Sequence, residues 1–181
     1  MAEGSESAPM IRAATGDDAA GIASIYNHYI HETIITFEET PVDSNEMVSR
    51  IDGIRCLGLP WLVAETPRRN GNLRMIGYAY AGKFRERASY RFTVETAIYL
   101  DPEMAGQGLG TALYRALLSE LRQLKLHRAI GGIALPNDAS VRLHERLGFK
   151  RVGVFTQVGF KFGQWIDVGF WELDLRNADR G

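Results

Sequence analysis

A single cysteine, Cys56, stands among the 181 residues, so no internal disulfide and no CxxC metal or redox site can form within the chain. Its apolar surroundings read as those of a buried, inert thiol. An excess of one charge is missing as well, because 21 Lys and Arg balance 22 Asp and Glu. A neutral protein gains little from a phosphate backbone or an anionic lipid surface, which argues against nucleic-acid and membrane partners. No uninterrupted apolar run approaches the ~20 residues of a membrane span. The opening MAEGSESAP has neither a basic start nor an apolar core, so residues 1–9 read as a polar tail and not as a secretory leader. A cytoplasmic location is expected. Repeats and low-complexity segments are absent too.

What is present is an ordinary globular balance, 45% hydrophobic and 24% charged, over a length that fits one domain from 10 to 176 with a short tail at 177–181. A chain of this size buries roughly 70% of its unfolded surface, enough to fold without staples. MIRAAT (10–15) reads as a strand, and Thr15, Asp17 and Asp18 as a helix start. Ile22, Ile25, Tyr26 and Tyr29 then follow at helical spacing. A second helix is expected to open near Ser44 or Asn45 and to end before Gly58 and Pro60. Residues 61–66 and 74–84 are strand-like, and the polar PRRNGN between them predicts an antiparallel hairpin. FTVETAIYL (92–100) is a third strand in series.

A long helix follows from about Gly108 to Lys125, with Leu109, Leu113, Leu117, Leu121 and Leu124 along one side. RAIGGIAL is a strand, Pro136 to Leu147 a helix, and KRVGVFTQVGF and QWIDVGFWELDL are two closing strands. The order β-α-α-β-β-β-α-β-α-β-β is that of a mixed α/β sheet flanked by helices, without the strict alternation of a doubly wound fold.

AGQGLGTALY (105–114) asks for a reason, since glycine weakens both strands and helices. Gly106, Gly108 and Gly110 lie at the mouth of the long helix, where unpaired amides and a partial positive charge attract phosphate. Gly108-Leu109-Gly110-Thr111 lacks the Gly-Lys-Ser/Thr of a Walker loop. Thr111 also occupies the sixth position, where a dinucleotide fingerprint needs glycine. Both common phosphate loops are excluded, which leaves a tight turn or a phosphate cradle of another kind.

The surroundings carry a resemblance. VETAIYLDPEMAGQGLGTALYRALL resembles motif A of the GNAT N-acetyltransferases, matching its glycines at Gly108 and Gly110, with Ala105 where that motif has Arg or Gln. LPNDASVRLHERLGF resembles motif B at Asn137, Ser140, Leu143, Arg146, Gly148 and Phe149, with His144 at the usual tyrosine position. Over about residues 10 to 175 the chain is similar to the phosphinothricin and methionine-sulfoximine N-acetyltransferases. That resemblance implies the GNAT fold, a homodimer, and transfer of an acetyl group from acetyl-CoA, without a metal, to the α-amine of a small amino acid. Acceptors of that subfamily carry a tetrahedral phosphinate, sulfoximine or sulfone group. Two readings remain beside it: acetylation of another small amine or a peptide N-terminus, and a non-catalytic acyl-CoA sensor.

Acetyl transfer needs a neutral amine, and an amino acid's α-amine is mostly ammonium at neutral pH, so a positioned base contributes. Glu95, on the strand before the loop, is the candidate, and the subfamily gives a glutamate in this context the base role. The alternative is a strand glutamate facing solvent or paired with an arginine. The resemblance implies that this strand splays from its neighbour, so that the backbone of Thr96, Ala97, Ile98, Tyr99 and Leu100 meets the acetyl and pantetheine groups. It implies pyrophosphate binding by Gly106, Gln107, Gly108, Leu109, Gly110 and Thr111, and pantetheine binding by Asn137, with Ser140 at the same helix start. His144 either donates a proton to the leaving thiol or packs as a hydrogen-bonded histidine.

In GKFRERASYR, Lys83, Arg85, Arg87 and Arg91 gather beside Glu86, taken singly a solvated basic strand end. The subfamily places an arginine at the position of Arg85 on the substrate carboxylate, which a guanidinium grips with two parallel bonds. Glu86, Arg87 and Phe37 with Glu38 would line the same acceptor pocket, unless Phe37 belongs to the core. Ile166 stands where some phosphinothricin enzymes have histidine, a departure that leans towards methionine sulfoximine or sulfone.

Overall fold

The computed structural model describes residues 9–67, 73–104 and 108–176. Seven strands form one mixed sheet: β1 (Met10–Ala13), β2 (Trp61–Pro67), β3 (Leu73–Lys83), β4 (Thr93–Leu100), β5 (Arg128–Leu135), β6 (Lys150–Lys161) and β7 (Gln164–Asp174). Their order across the sheet is β1-β2-β3-β4-β5-β7-β6, and only the β4–β5 pair is parallel. Four helices flank it: α1 (Ala19–Glu32), α2 (Ser44–Cys56), α3 (Leu109–Gln123) and α4 (Asp138–Arg146). The α/β order expected from the sequence is the order observed. The tip of the β2–β3 hairpin at 68–72 and the expected tails at 1–8 and 177–181 lie outside the described residues.

Alternation along the strands sends successive side chains to opposite faces and creates two cores. On one face, Leu109, Leu113, Leu117 and Leu121 of α3 pack with Leu62, Ile76, Ala81, Val94 and Ala129. A fully buried leucine contributes about 2 kcal/mol. On the other face, α1 and α2 bring Ile22, Ile25, Ile30, Met47 and Ile51 onto Trp61, Val63 and Tyr78. Two expectations fail here. Leu124 is exposed, because α3 ends at Gln123 and the chain turns away at Lys125, whose φ is 56°. Cys56 is exposed as the last residue of α2, so its thiol is not a core group.

Helix starts follow local chemistry. The Asp43 Oδ1 accepts the Glu46 amide at 2.8 Å and caps α2, which opens at Ser44 as expected. Asn137 Oδ1 accepts the Ser140 amide at 3.1 Å and caps α4, which therefore begins at Asp138 and not at Pro136. Ahead of α1, a short 3-10 turn at Gly16–Asp18 is held by the Thr15 amide donating to Asp18 Oδ2 at 2.8 Å. Among the described residues no helix is long and apolar enough to cross a membrane.

One seam in the sheet is incomplete. β3 and β4 are in register from Gly77↔Leu100 to Lys83↔Val94, so one edge of β4 is paired along its length. On the other edge, β4 meets β5 only at Thr93↔Arg128, Val94↔Ala129 and Glu95↔Ile130. Beyond Glu95 the strands part. β5 stays paired with β7 from Arg128↔Asp174 to Leu135↔Asp167, so it is β4 that loses its neighbour.

Candidate active site

The opening between β4 and β5 leaves the peptides of residues 96–100 without strand partners on that edge. Buried amides seek a partner, so an edge of this kind is a binding surface for a chain of polar groups. At its upper end the carbonyl of Leu100 is already taken by the Tyr29 hydroxyl at 2.7 Å. Arg74 holds Asp101 and Glu103, each at 2.6 Å, and so fixes the chain as it leaves β4. Gly106 and Gln107 lie outside the described residues.

Gly108 precedes α3 in the left-handed region at φ 79°, and a Cβ added there would meet nothing within 4 Å. This glycine combines a backbone angle that other residues resist with open space above it, the pairing an anion cradle requires. The amides of Leu109 and Gly110 precede the first helical bonds and have no acceptor among the described residues. Thr111 does not: its amide already reaches the Gly108 carbonyl at 3.0 Å. Gly110 has a packing reason to be glycine as well. A Cβ there would sit 3.3 Å from Leu100 and 3.4 Å from Leu143, so the glycine lets the first turn of α3 settle onto β4 and α4. The side chains of Ile98 and Leu100 belong to that packing, and only their backbone faces the opening.

Glu95 stands at the point of separation, half-buried. Burial raises its carboxyl pKa above the ordinary carboxylate value, and the nearby Arg85 charge partly offsets this. Its Oε1 lies 3.3 Å from the position a Cβ on Gly132 would take. The preceding residue, Gly131, faces the other way, and a Cβ there would lie 2.5 Å from His144 Nε2. Two adjacent glycines thus clear space on opposite faces of β5, one for Glu95 and one for His144. The pair was visible in RAIGGIAL, since interior strand glycine marks a close approach, but the sequence did not say to what.

His144 is only 4% exposed. Its Nδ1 lies 2.8 Å from the Ser140 carbonyl and its Nε2 3.0 Å from the Tyr114 hydroxyl. Burial lowers its pKa, with the Ser140 carbonyl opposing. Tyr114 continues to Thr96 Oγ1 at 2.6 Å, and Thr96 Oγ1 to the Ile130 carbonyl at 3.2 Å. The Thr96 side chain is therefore turned away from the face that carries Glu95, Ala97 and Tyr99. Asn137 spends Oδ1 on its cap, which leaves the amide nitrogen as its free donor.

On the Glu95 face, the Tyr99 ring joins Tyr26, Tyr29 and Tyr78 at centroid separations of 5.1, 5.2 and 5.3 Å. This puts Tyr99 among the aromatics beside α1, away from the helix-mouth cradle. Tyr26, Arg50, Tyr78, Tyr80, Lys83 and Glu86 contribute to a concavity of about 470 Å³ on the same face. At its rim the Arg50 guanidinium grips Glu38 with bonds of 2.7 and 3.0 Å, and the Tyr26 hydroxyl donates to Glu38 at 2.8 Å. Tyr26, Tyr80 and Arg50 were missed from the sequence because nothing in their spacing separates them from core or surface residues. Phe37 is 41% exposed and lies over Gly159, so it is a surface wall and not core. A buried Lys161 ties that wall to the β6–β7 hairpin by donating to the Thr36 carbonyl at 2.8 Å.

Arg85 stacks on Phe84 at 4.3 Å and its Nη1 donates to the Phe84 carbonyl, which leaves the guanidinium exposed and its charge felt at Glu95. Glu86 pairs with Lys83 at 3.2 Å in solvent, and Arg87 is exposed ahead of a short turn, so neither contacts Glu95.

A strand that parts from its parallel neighbour, followed by a left-handed glycine at a helix mouth, makes a cleft with unpaired backbone along one wall and an anion cradle at its end. The acetyltransferase (GNAT) domain model matches residues 11–169, and the chain belongs to that family. It is 39% identical over 170 residues to a phosphinothricin N-acetyltransferase of Alcaligenes faecalis, covering 93% of this chain and 84% of the relative. It is 38% identical over 165 residues to an L-methionine sulfoximine/L-methionine sulfone acetyltransferase of Salmonella typhimurium, covering 91% and 94%. The solved phosphinothricin acetyltransferase of Sinorhizobium meliloti, in complex with AcCoA, superimposes with a TM-score of 0.86 at 37% identity, over 92% of this chain and 88% of that one.

The two glycines of β5 give a direct test. Gly131→Ala is expected to lower the unfolding free energy by about 1–3 kcal/mol, because the imidazole must be displaced within a packed core. Gly132→Ala, whose space opens to solvent, should cost less than half of that while impairing activity. Urea titration of both variants measures the difference.

Proposed function

We propose that the protein transfers the acetyl group of acetyl-CoA to the α-amine of a small amino acid carrying a tetrahedral sulfoximine, sulfone or phosphinate group. The observation that carries the reading is Glu95, half-buried, with its pKa raised, at the point where β4 and β5 separate. The residues present suit the co-substrate. Gly108 and the amides of Leu109 and Gly110 offer an anion cradle, the free edge of β4 offers bonds to an amide-bearing arm, and Asn137 retains a donor.

In this reading Glu95 takes the ammonium proton of the acceptor, directly or through water. Elevation of its pKa brings it closer to that of the amine, which improves the match for proton transfer near neutral pH. The unpaired amides of β4 polarise the thioester carbonyl as preorganised donors. Arg85, without a carboxylate partner among the described residues, holds the acceptor carboxylate, and its charge is already within reach of Glu95. Tyr80, Tyr99, Phe37 and the Tyr26–Glu38–Arg50 group form the wall around the acceptor side chain. Ile166, 3% exposed and paired with Gly159 beside Phe37, supplies no polar group there and favours sulfoximine or sulfone over phosphinate.

The active species is a homodimer. The edge strand β6, its turn and the start of β7 expose Val152, Phe155, Val158, Phe160, Phe162 and Trp165, each more than half exposed. A row of large apolar groups on a sheet edge is suited to being covered by a second chain.

A thiol-release assay with acetyl-CoA against amino acids that include methionine sulfoximine, methionine sulfone and phosphinothricin tests the acceptor class. Release with none of them refutes it. In that assay Glu95→Gln should act about 100- to 10,000-fold more slowly with unchanged coenzyme A affinity by calorimetry. The wild-type rate should fall as pH drops through the raised Glu95 pKa, since only the carboxylate accepts a proton, and the variant should lack that limb. Methionine sulfoximine methyl ester should show a KM about tenfold or more above the free acid, and Arg85→Leu should abolish the difference. Sedimentation should give twice the chain mass, and Phe160→Lys with Trp165→Lys should give a monomer.

A further inference from the structure

Leu124 belongs to neither core, yet it is not isolated on the surface. α2 ends at Cys56 and α3 at Gln123, and after each the chain turns through a left-handed residue, Gly58 at φ 69° and Lys125 at φ 56°. These two helix ends and the β3–β4 connection enclose a concavity of about 430 Å³. Its floor is Leu59, Val94 and Leu126, which pack with the α3 core, and Leu57 and Leu124, both exposed, form its apolar walls. Val94 and Glu95 project from opposite faces of β4, so this concavity lies behind the sheet from Glu95, apart from the cleft between β4 and β5.

The rim is cationic. Lys83, Arg85, Arg87 and Arg91 line it against one carboxylate, Glu86, which Lys83 already neutralises at 3.2 Å. Arg91 stacks on Phe92 at 4.6 Å and its Nη1 donates to the Ala88 carbonyl at 3.1 Å, while Arg85 donates to the Phe84 carbonyl. Among the described residues none of the three guanidiniums has a carboxylate partner. In a chain of net charge -1, this local excess around an apolar floor suits an anion. The volume is that of a small-molecule site and not of a macromolecular surface. The same cations repel an ammonium group, so a free amino acid is a poor occupant. We propose that this concavity is a second binding site, for a carboxylate with an unbranched apolar tail and no amine, its head on Arg87 and Arg91 and its tail on the leucines.

Arg85 joins this site to the other. It lines the concavity, and its charge is felt at Glu95 on the far face. A carboxylate bound behind the sheet competes for that guanidinium, and occupancy weakens the hold on the acceptor carboxylate. This consequence, unlike the site itself, rests on the acetyl-transfer reading.

Calorimetry of the intact protein with butanoate, hexanoate and octanoate tests the site. Binding should be saturable, with affinity rising about three- to fourfold for each added methylene until the cavity is full, and it should weaken as salt screens the rim. Octylammonium and 1-octanol should each bind about tenfold or more weakly than octanoate. Arg91→Gln and Leu124→Ser should each lower octanoate affinity about five- to tenfold and leave acetyl transfer without octanoate unchanged. Saturating coenzyme A should leave octanoate binding in place. Loss of binding in its presence would put octanoate in the cleft and overturn the proposal. So would the lack of saturable binding, equal affinity for octylammonium, or an affinity unmoved in both variants. In the thiol-release assay octanoate should raise the KM for methionine sulfoximine and keep that for acetyl-CoA within about twofold. An unmoved acceptor KM would overturn the coupling through Arg85. Absence of thiol release by the wild-type protein would instead sink the acetyl-transfer reading and leave the calorimetric result standing, so the two failures are distinct.

Discussion

The separation of β4 from β5 after Glu95 governs everything else in this molecule. A paired parallel seam would bury the peptides of residues 96–100, close the space in front of Glu95 and leave no place for a ligand along the sheet. The opening needs two things at once: a firm hold on each strand by its outer neighbour, and a substitute for the inner bonds that are missing. β3 and β7 provide the first. Thr96 provides part of the second, by bringing its hydroxyl to the carbonyl of Ile130, the last β5 residue in register with β4. Binding energy for a ligand is thereby stored as unmet hydrogen-bonding capacity in an otherwise completed sheet.

Two chemistries lie on the two sides of that seam. Glu95, Ala97 and Tyr99 face the aromatic group beside α1, and the Tyr114–His144 pair lies beneath α3 and α4. A carboxyl raised by burial and an imidazole lowered by burial are displaced towards each other in pKa, although one stands in an open cleft and the other in a dry core. The sheet keeps the two groups apart while letting both report to one strand.

Much of this was legible in the chain. Leucines at helical spacing announced α3, and the β-branched run before the loop announced β4. The glycine at 108 signalled a tight turn or an anion cradle at a helix mouth, and its left-handed angle with open space above it suits the cradle. At Gly110 spacing alone did not reveal that the missing side chain also admits a neighbouring leucine. Leu124 misled because the helical stripe continues in sequence one residue past the point where the helix stops. Tyr114 was hidden because an aromatic residue on an apolar helix face is ordinarily core, and its hydroxyl partners come from residues 18 and 30 positions away. Contacts of that range have no local signature.

The adjacency of Gly131 and Gly132 carries a consequence for how β5 must be registered. Side chains alternate across a strand, so a slip of one position against β7 would turn both glycines over together. According to the direction of the slip, the imidazole would then meet Ile130 or the carboxylate would meet Ile133 in the space a bare backbone had left. Trp171 and Phe170, the partners of Gly131 and Gly132 on β7, are thus the fiduciary marks of the site: alignment of an outer pair of strands, remote from any ligand, decides whether the cleft has room to work.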